Sequence, residues 1–351
     1  MKVTKTTNKK VKPDFNKLGF GKYMSDHMLV MDYENGAWKE PEIAPYGDFS
    51  IDPATQILHY GQGLFEGLKA YKTKDGRITL FRPRDNFLRM NDGAERLCMP
   101  KLDVETALEG LFELVKLEKD WIPTDAGTSL YVRPTMYCSN VFLGVKAGTA
   151  YRFFIAVCPV GAYYANGLEP TRIFIEDFYV RSSIGGTGAI KCPGNYAASL
   201  IGQEKAHKLG YDQALWLDAK DKKYIEEVGS MNIFFVIDDA VVTPELTGSI
   251  LPGITRDSVL KLLKKDAYKT QERRVSVDEL IAAQRSGSLK EMFGAGTAAV
   301  ISPVGEFAYK DETFSVGGGK MGKITSYLYD KLTGIQTGRL PDEFGWVVEV
   351  K

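Results

Sequence analysis

Ile184-Gly185-Gly186-Thr187-Gly188-Ala189-Ile190-Lys191-Cys192-Pro193-Gly194-Asn195-Tyr196 sets one lysine among glycines, with apolar Ile190 and Cys192 beside it. A lysine amine attacks an aldehyde only when neutral. Apolar surroundings or a neighbouring cation lower its ordinary pKa of about 10.4 and make that form accessible. Asn195 and Tyr196 follow directly with hydrogen-bonding groups. The competing reading of Lys191 is a solvated surface charge, the usual fate of a lysine. Further along, Glu227-Val228-Gly229-Ser230-Met231-Asn232 offers a carboxylate. Held against a pyridine nitrogen, such a carboxylate keeps the nitrogen protonated and the ring electron-withdrawing. An aldehyde-capturing lysine and a ring-pairing carboxylate are the two ends of a pyridoxal phosphate site.

A phosphate needs donors as well. Gly253-Ile254-Thr255-Arg256-Asp257 stands where a loop turns into a helix, so its amides and the positive dipole end could hold an anion. Gly294-Ala295-Gly296-Thr297-Ala298 offers a second nest of amides and a hydroxyl. Arg89 would add a charge-assisted fork. Each also has an ordinary reading, as a glycine turn before a helix or a surface arginine.

The bulk properties agree with a small-molecule ligand. The chain has 351 residues, enough for two domains of roughly 150 residues each. Lys plus Arg and Asp plus Glu are equal at 45 each, so no global field draws it to nucleic acid or anionic lipid. Cys98, Cys138, Cys158 and Cys192 lack ligand spacing and there are only three histidines, so no metal site is expected and the thiols read as reduced and cytosolic. The most apolar run, residues 153–160, falls far short of the about 20 residues that span a bilayer. The lysine-rich start has no apolar segment after it and no arginine before Arg77, unlike a secretory signal or a mitochondrial presequence. A soluble cytoplasmic protein is expected.

Periodicity predicts an α+β organisation. Short strands at 28–33, 68–72 and 78–81 are punctuated by Asn35-Gly36 and Asp75-Gly76. Helical spacing runs through 85–97 and 103–117, and strands resume at 129–137 and 152–158. Turn-forming residues mark 161–170 as a linker. After it come a strand at 172–178, a helix at 196–209 stopped by Gly210, strands at 213–217 and 233–237, and a helix at 255–264. A capping box at Ser276 opens the next helix, and strand-forming sequence surrounds a glycine turn at 290–304. The expected layout is a flexible arm at 1–14, a small α+β domain at 15–160, the linker, and a large cofactor-binding domain at 171–351.

Six segments resemble one family: YGQGLFEGLKAY (60–71), YVRP (131–134), GGTGAIKCPGNYAAS (185–199), EVGSMN (227–232), LPGITRDS (251–258) and EMFGAGTAAVISPV (291–304). In order and spacing they are similar to the branched-chain aminotransferases of the type IV pyridoxal phosphate fold, from about Phe20 to Val350. The resemblance implies two domains, each a sheet with flanking helices, with the cofactor between them. It makes Lys191 the cofactor-binding lysine and the proton shuttle at the substrate α-carbon, with Glu227 on the ring nitrogen and Tyr196 near the phenolic oxygen. Arg89, the amides of Ile254 and Thr255, and Thr297 become phosphate ligands. The implied substrate pocket is Tyr60, Phe65, Tyr131, Val145 and Tyr163, with Ser230 and Ala298 near the α-carboxylate. Arg133 would meet the γ-carboxylate of glutamate, and it shares a strand face with Tyr131, two positions away. The implied reaction exchanges an amino group between L-leucine, L-isoleucine or L-valine and 2-oxoglutarate, by a ping-pong route through pyridoxamine phosphate, in a homodimer.

Two features depart from the family. Ala299-Val300-Ile301-Ser302 stands where some members have a CxxC pair, and Ser230 stands where threonine is common. Aminodeoxychorismate lyases and D-amino acid aminotransferases share the lysine and the glutamate but not the YVR pattern, and a non-catalytic scaffold would not need all these groups. Gly317-Gly318-Gly319-Lys320-Met321-Gly322-Lys323-Ile324 nearly matches a phosphate-binding loop, but Ile324 has no hydroxyl for magnesium. It is expected to form a surface turn.

Overall fold

Strand Ser129–Cys138 divides its side chains by the two-residue period of a β-strand. Leu130, Val132 and Met136 enter a large apolar core, while Tyr131 on the opposite face packs with Cys158 and Val160. The computed structural model describes residues 1–161 and 168–351. Most of the expected linker 161–170, Tyr163 included, lies outside the described residues. Among those described, the chain forms two compact units, one of Met1–Gly161, Ile190–Pro193 and Gly334–Lys351, the other of Leu168–Ala189 and Gly194–Thr333.

The first unit is built on a ten-stranded sheet. Its order is Lys2–Val3, Glu42–Pro45, His27–Glu34, Tyr151–Val160, Ser129–Cys138, Leu68–Lys72, Ile78–Phe81 and Val347–Val350, with Ala37–Trp38 beside His27–Glu34 and Gly63–Phe65 beside Ser129–Cys138. Two helices cover one face. Pro83–Arg96 opens with proline at its first position, where no intrahelical N–H is needed, and buries Phe87, Met90, Gly93 and Ala94. Val104–Leu117 is capped by Asp103, whose carboxylate accepts the Thr106 N–H, and it buries Leu108, Leu111, Leu114 and Val115.

Both chain ends differ from expectation. Val347–Val350 pairs antiparallel with the edge strand Ile78–Phe81, so the C-terminal residues return to the first unit. The residues expected as a free arm are mostly exposed, yet their backbone is fixed. Lys2 and Val3 pair in parallel with Glu42 and Ile43, and the Lys10 N–H donates to Asp26. A short strand with an unsatisfied edge gains hydrogen bonds by docking on another edge, and no local sequence period announces such long-range pairing.

The second unit has nine strands in the order Ile225–Val228, Gln213–Leu217, Thr171–Glu176, Val300–Tyr309, Leu289–Gly296, Met231–Ile237, Ala240–Thr243 and Lys269–Glu272, with Glu312–Ser315 beside Val300–Tyr309. Ile225–Val228 also pairs with Met231–Ile237, so six of these strands close on themselves. Closure puts Glu227 directly opposite Asn232. Helices Ile254–Lys265 and Val277–Ser286, and most of Pro193–Lys208 and Lys323–Gln336, belong to this unit. Among the described residues, no helix is long and apolar enough to cross a membrane.

A buried network holds the N-terminal segment. The Thr6 N–H donates to His27 Nε2 at 2.8 Å, which leaves the ring proton on Nδ1 to donate to Glu118, 2.5 Å away. The second Glu118 oxygen accepts the Asp26 N–H, and Asp26 in turn accepts from Lys10 N–H and Trp121 Nε1. Replacing Glu118 with Ala strands two buried donors, each costing about 1–3 kcal/mol. The expected result for Glu118→Ala is a loss of about 3 kcal/mol in urea unfolding, with faster proteolysis within the first ten residues; unchanged protection there would show that the network does not hold the segment.

Candidate active site

Lys191 is carried by a segment pinned to strand Gly63–Phe65. The Phe65 N–H donates to the Lys191 carbonyl at 3.1 Å, and Ile190 and Cys192 are buried in the first unit's core. The amine lies 5.0 Å from the Phe65 ring centroid, and the Arg133 guanidinium stands 4.9 Å from the same ring. Arg133 also lies 5.3 Å from the Tyr131 ring, and its Nη2 donates to the Tyr131 hydroxyl at 3.4 Å. Gly67 makes room for that hydroxyl, since a Cβ there would fall 2.0 Å from it. Phe65, Tyr131, Arg133 and Lys191 therefore form one cluster in which cations border aromatic faces.

Glu66 follows Phe65 and is almost fully buried. Its carboxylate accepts from Arg89 Nε and Nη2, each at 2.8 Å, and from Asn86 Nδ2 at 2.9 Å. Asn86 and Arg89 are three apart on helix Pro83–Arg96, hence on one face. Burial pushes the Glu66 carboxyl up, but the Arg89 charge and hydrogen bonds, with Lys191 and Asn86, outweigh it and hold it below the ordinary range. Arg89 is thus a buried, oriented guanidinium, not a surface one.

Glu227 in the second unit is likewise buried. Oε1 accepts the Leu251 N–H at 3.0 Å and Asn232 Nδ2 at 3.4 Å. Oε2 lies 2.9 Å from Arg181 Nε, as an ion pair whose N–H is not aligned on the oxygen. Arg181 Nη2 donates to the carbonyls of Ser249 at 2.6 Å and Gly188 at 3.3 Å. Thr187 and Asn195 exchange two hydrogen bonds, which tie the glycine turn to the helix carrying Tyr196. Neighbouring Glu226 is pushed up by burial, and Ser249 Oγ donates to it.

Asn232 also donates to the Leu251 carbonyl at 2.9 Å, so it joins Glu227 to the loop before helix Ile254–Lys265. Gly253 is the N-cap of that helix and supplies no side-chain cap; a Cβ on it would lie 2.0 Å from Asn232 Oδ1. Thr255 is buried in the first turn. Thr297 and Ala298 are half-buried in the turn between Leu289–Gly296 and Val300–Tyr309, and Ser230 is exposed in the turn before Met231. Tyr60 is exposed and donates to the Leu143 carbonyl, while Val145 is 85% exposed.

The glycine triplet Gly317–Gly319 forms a 3-10 turn. The start of the following helix is already occupied by protein. Glu291 accepts the Ile324 and Thr325 N–H groups and the Thr325 hydroxyl, and a Cβ on Gly322 would collide with its carboxyl. An internal carboxylate thus takes the place a nucleotide phosphate would need.

Glu66, Asn86, Arg181 and Asn232 escaped the reading of the sequence. Glu66 and Asn232 lie inside quoted motifs, where position within the motif was the available signal. Arg181 and Asn86 had none, because their partners are remote in sequence.

Residues 63–307 match the family described as amino-transferase class IV. The chain is 53% identical over 348 residues to branched-chain-amino-acid transaminase 1 of Bacillus subtilis, covering 99% of this chain and 98% of that protein. Among solved structures it is similar to the branched-chain amino acid aminotransferase of Escherichia coli, with a TM-score of 0.79 and 30% identity over 93% of this chain and 99% of that one. It is also similar to the T.th. branched-chain amino acid aminotransferase determined with pyridoxamine 5'-phosphate, at a TM-score of 0.75 and 27% identity, covering 92% of this chain and 98% of that one. With its two units of strands and helices, the chain belongs to the branched-chain-amino-acid aminotransferases of class IV and has their fold.

Proposed function

We propose that this protein reversibly transfers the amino group of L-leucine, L-isoleucine or L-valine to 2-oxoglutarate in two half-reactions. The observation that carries this reading is the Lys191, Phe65, Tyr131 and Arg133 cluster. It sets an amine on an aromatic wall suited to an aliphatic side chain, with one guanidinium at the margin for the γ-carboxylate of the alternate substrate. The relatives named above support the substrate class.

Class IV aminotransferases use pyridoxal phosphate. When bound, it supplies the aldehyde that captures the amino group and a ring that disperses the charge left at the α-carbon. The donor set here fits that group: a lysine amine, a buried carboxylate, an oriented guanidinium, and a helix start with glycine at its N-cap. In this proposal Lys191 would hold the aldehyde end of the group, and its Nζ would take and return the proton at the substrate α-carbon. Glu227 would hold the ring nitrogen, and Tyr196 would hold the phenolic oxygen. Arg89, the amides of Ile254 and Thr255, and Thr297 bind the phosphate. Phe65, Tyr60, Tyr131, Val145 and Tyr163 make up the substrate pocket in this proposal, and Ser230 and Ala298 meet the α-carboxylate.

A homodimer belongs to the same proposal. Val141, Phe142, Leu143 and Val145 are exposed on one segment, and the Val141–Thr55 bridge and the Tyr60–Leu143 hydrogen bond set it beside exposed Leu58 and Tyr60. Exposed apolar side chains gathered in this way are suited to a second copy of the chain. The four cysteines are free, which suits the reducing cytoplasm.

Absorbance spectra of the purified protein test the reaction. L-leucine alone should replace a visible cofactor band with a shorter-wavelength one, and 2-oxoglutarate should restore it. A band indifferent to L-leucine would move the function to the lyase or D-amino acid branch. Lys191→Ala should lower turnover by about 10⁴-fold, the upper range for a lost acid–base group, and wild-type turnover would refute its role. Val145→Asp should shift the mass measured by light scattering from dimer towards monomer; an unchanged dimer would place the interface elsewhere.

A further inference from the structure

Arg181 is ion-paired with Glu227, one of two adjacent buried carboxylates, and has no place in the reaction outlined above. Glu226 and Glu227 are neighbours on strand Ile225–Val228, and both are at most 5% exposed. Two such carboxylates repel each other, and each has lost the solvation that a charge needs. The strand period turns them to opposite faces, and their surroundings differ accordingly. Burial pushes the Glu226 carboxyl up, against the Ser249 hydroxyl that donates to it and the Arg181 charge, with Glu227 adding to the rise. Glu227 receives the Leu251 amide, the Asn232 side chain and the Arg181 cation. Their partners differ: a hydroxyl donates to Glu226, whereas an amide, the Asn232 side chain and the Arg181 ion pair face Glu227.

Arg181 is itself fixed. It is 9% exposed, and Nη2 bridges the carbonyls of Ser249 and Gly188. Gly188 permits that approach, because a Cβ there would lie 2.1 Å from the Ser249 carbonyl oxygen. The glycine turn that Arg181 grips leads within three residues to Lys191. A lysine at 181 would keep the charge but lose the planar fork that makes both attachments at once.

Resting on the transaminase reading, we propose that Arg181 is a positioning residue for that reaction, holding Glu227 as an oriented carboxylate and tying it to the glycine turn that precedes Lys191. It acts on the chemistry through Glu227 and not by touching the substrate. Its removal is therefore expected to matter only while Glu227 can hold the ring proton. A merely structural arginine would weaken the protein equally whether residue 227 is Glu or Gln.

A double-mutant cycle on the full-length protein separates the two. Arg181→Met, Glu227→Gln and the double variant are compared by kcat and by the Kd of the apoprotein for pyridoxal phosphate. Arg181→Met alone should lower kcat at least 100-fold and raise the Kd about 10-fold. In the Glu227→Gln background it should change either quantity by no more than about two-fold. Equal losses in both backgrounds, or wild-type behaviour of Arg181→Met, would overturn the proposal. Should Arg181→Met fail to fold, Arg181→Lys carries the same cycle: a loss that vanishes with Glu227→Gln supports the role, and a persistent loss or no loss overturns it. Failure of the wild-type chain to bind pyridoxal phosphate or to respond to L-leucine would sink the transaminase reading instead. Additive losses in a chain that does both would sink only the role of Arg181.

Discussion

A buried carboxylate needs donors in place of the water it has lost, and the second unit supplies them at Glu227. Strand closure puts Asn232 opposite it, the loop before helix Ile254–Lys265 delivers the Leu251 amide, and Arg181 brings a cation. Each donor is anchored in turn. Asn232 holds the Leu251 carbonyl, and Arg181 holds the Ser249 and Gly188 carbonyls. The glycines at 188 and 253 follow from these attachments, because a methyl group at either would strike the atoms that hold Glu227's neighbours in place. Glycine is thus needed here for close approach; neither position has a left-handed backbone.

The first unit solves the converse problem, a buried cation. Arg89 is neutralised by Glu66 through two parallel hydrogen bonds, and Asn86 takes part in the same arrangement. Such a pair is a weak source of stability, since desolvation of both ions offsets much of their attraction. What it does provide is orientation: a guanidinium engaged along its Nε and Nη2 edge has a fixed plane. Glu66 is in turn set by its backbone, whose N–H donates to the Pro134 carbonyl at 2.8 Å, one residue from Arg133. Phe65 and Glu66 thereby relate Lys191, Arg89 and Arg133 through one short strand and the residue after it.

Local patterns in the sequence disclosed the elements, and long-range pairing stayed hidden. Ser276 was readable as a cap because the signal lies within one turn of the helix, and it accepts the amide three residues on. The shared face of Tyr131 and Arg133 followed from the strand period alone, and the two side chains do meet. By contrast, nothing in the period of Val347–Val350 reveals that it closes the edge at Ile78–Phe81, and nothing near Lys2 reveals the strand at Glu42. The same limit applied to the candidate site. Lys191 and Glu227 stood out through chemically telling neighbours in sequence, whereas Arg181 and Asn86 gain meaning only from groups far along the chain.

The helix starts of the second unit show how an anion site can be distinguished from an ordinary glycine turn. At Val277–Ser286 the Ser276 hydroxyl accepts the Glu279 amide. At Lys323–Gln336 the Glu291 carboxylate accepts two amides and a hydroxyl, so the positive end of that helix already has an anion from the protein itself. Helix Ile254–Lys265 is treated differently: its N-cap is Gly253, and no side chain caps it from that position. Three helices with similar N-terminal demands are thus met by a hydroxyl, by a carboxylate, and by a residue without a side chain. The sequence offered 253–257 as an anion site and expected 317–324 to form a surface turn; at the helix after 317–324 the Glu291 carboxylate is the physical reason, because it already holds the amides a phosphate would need.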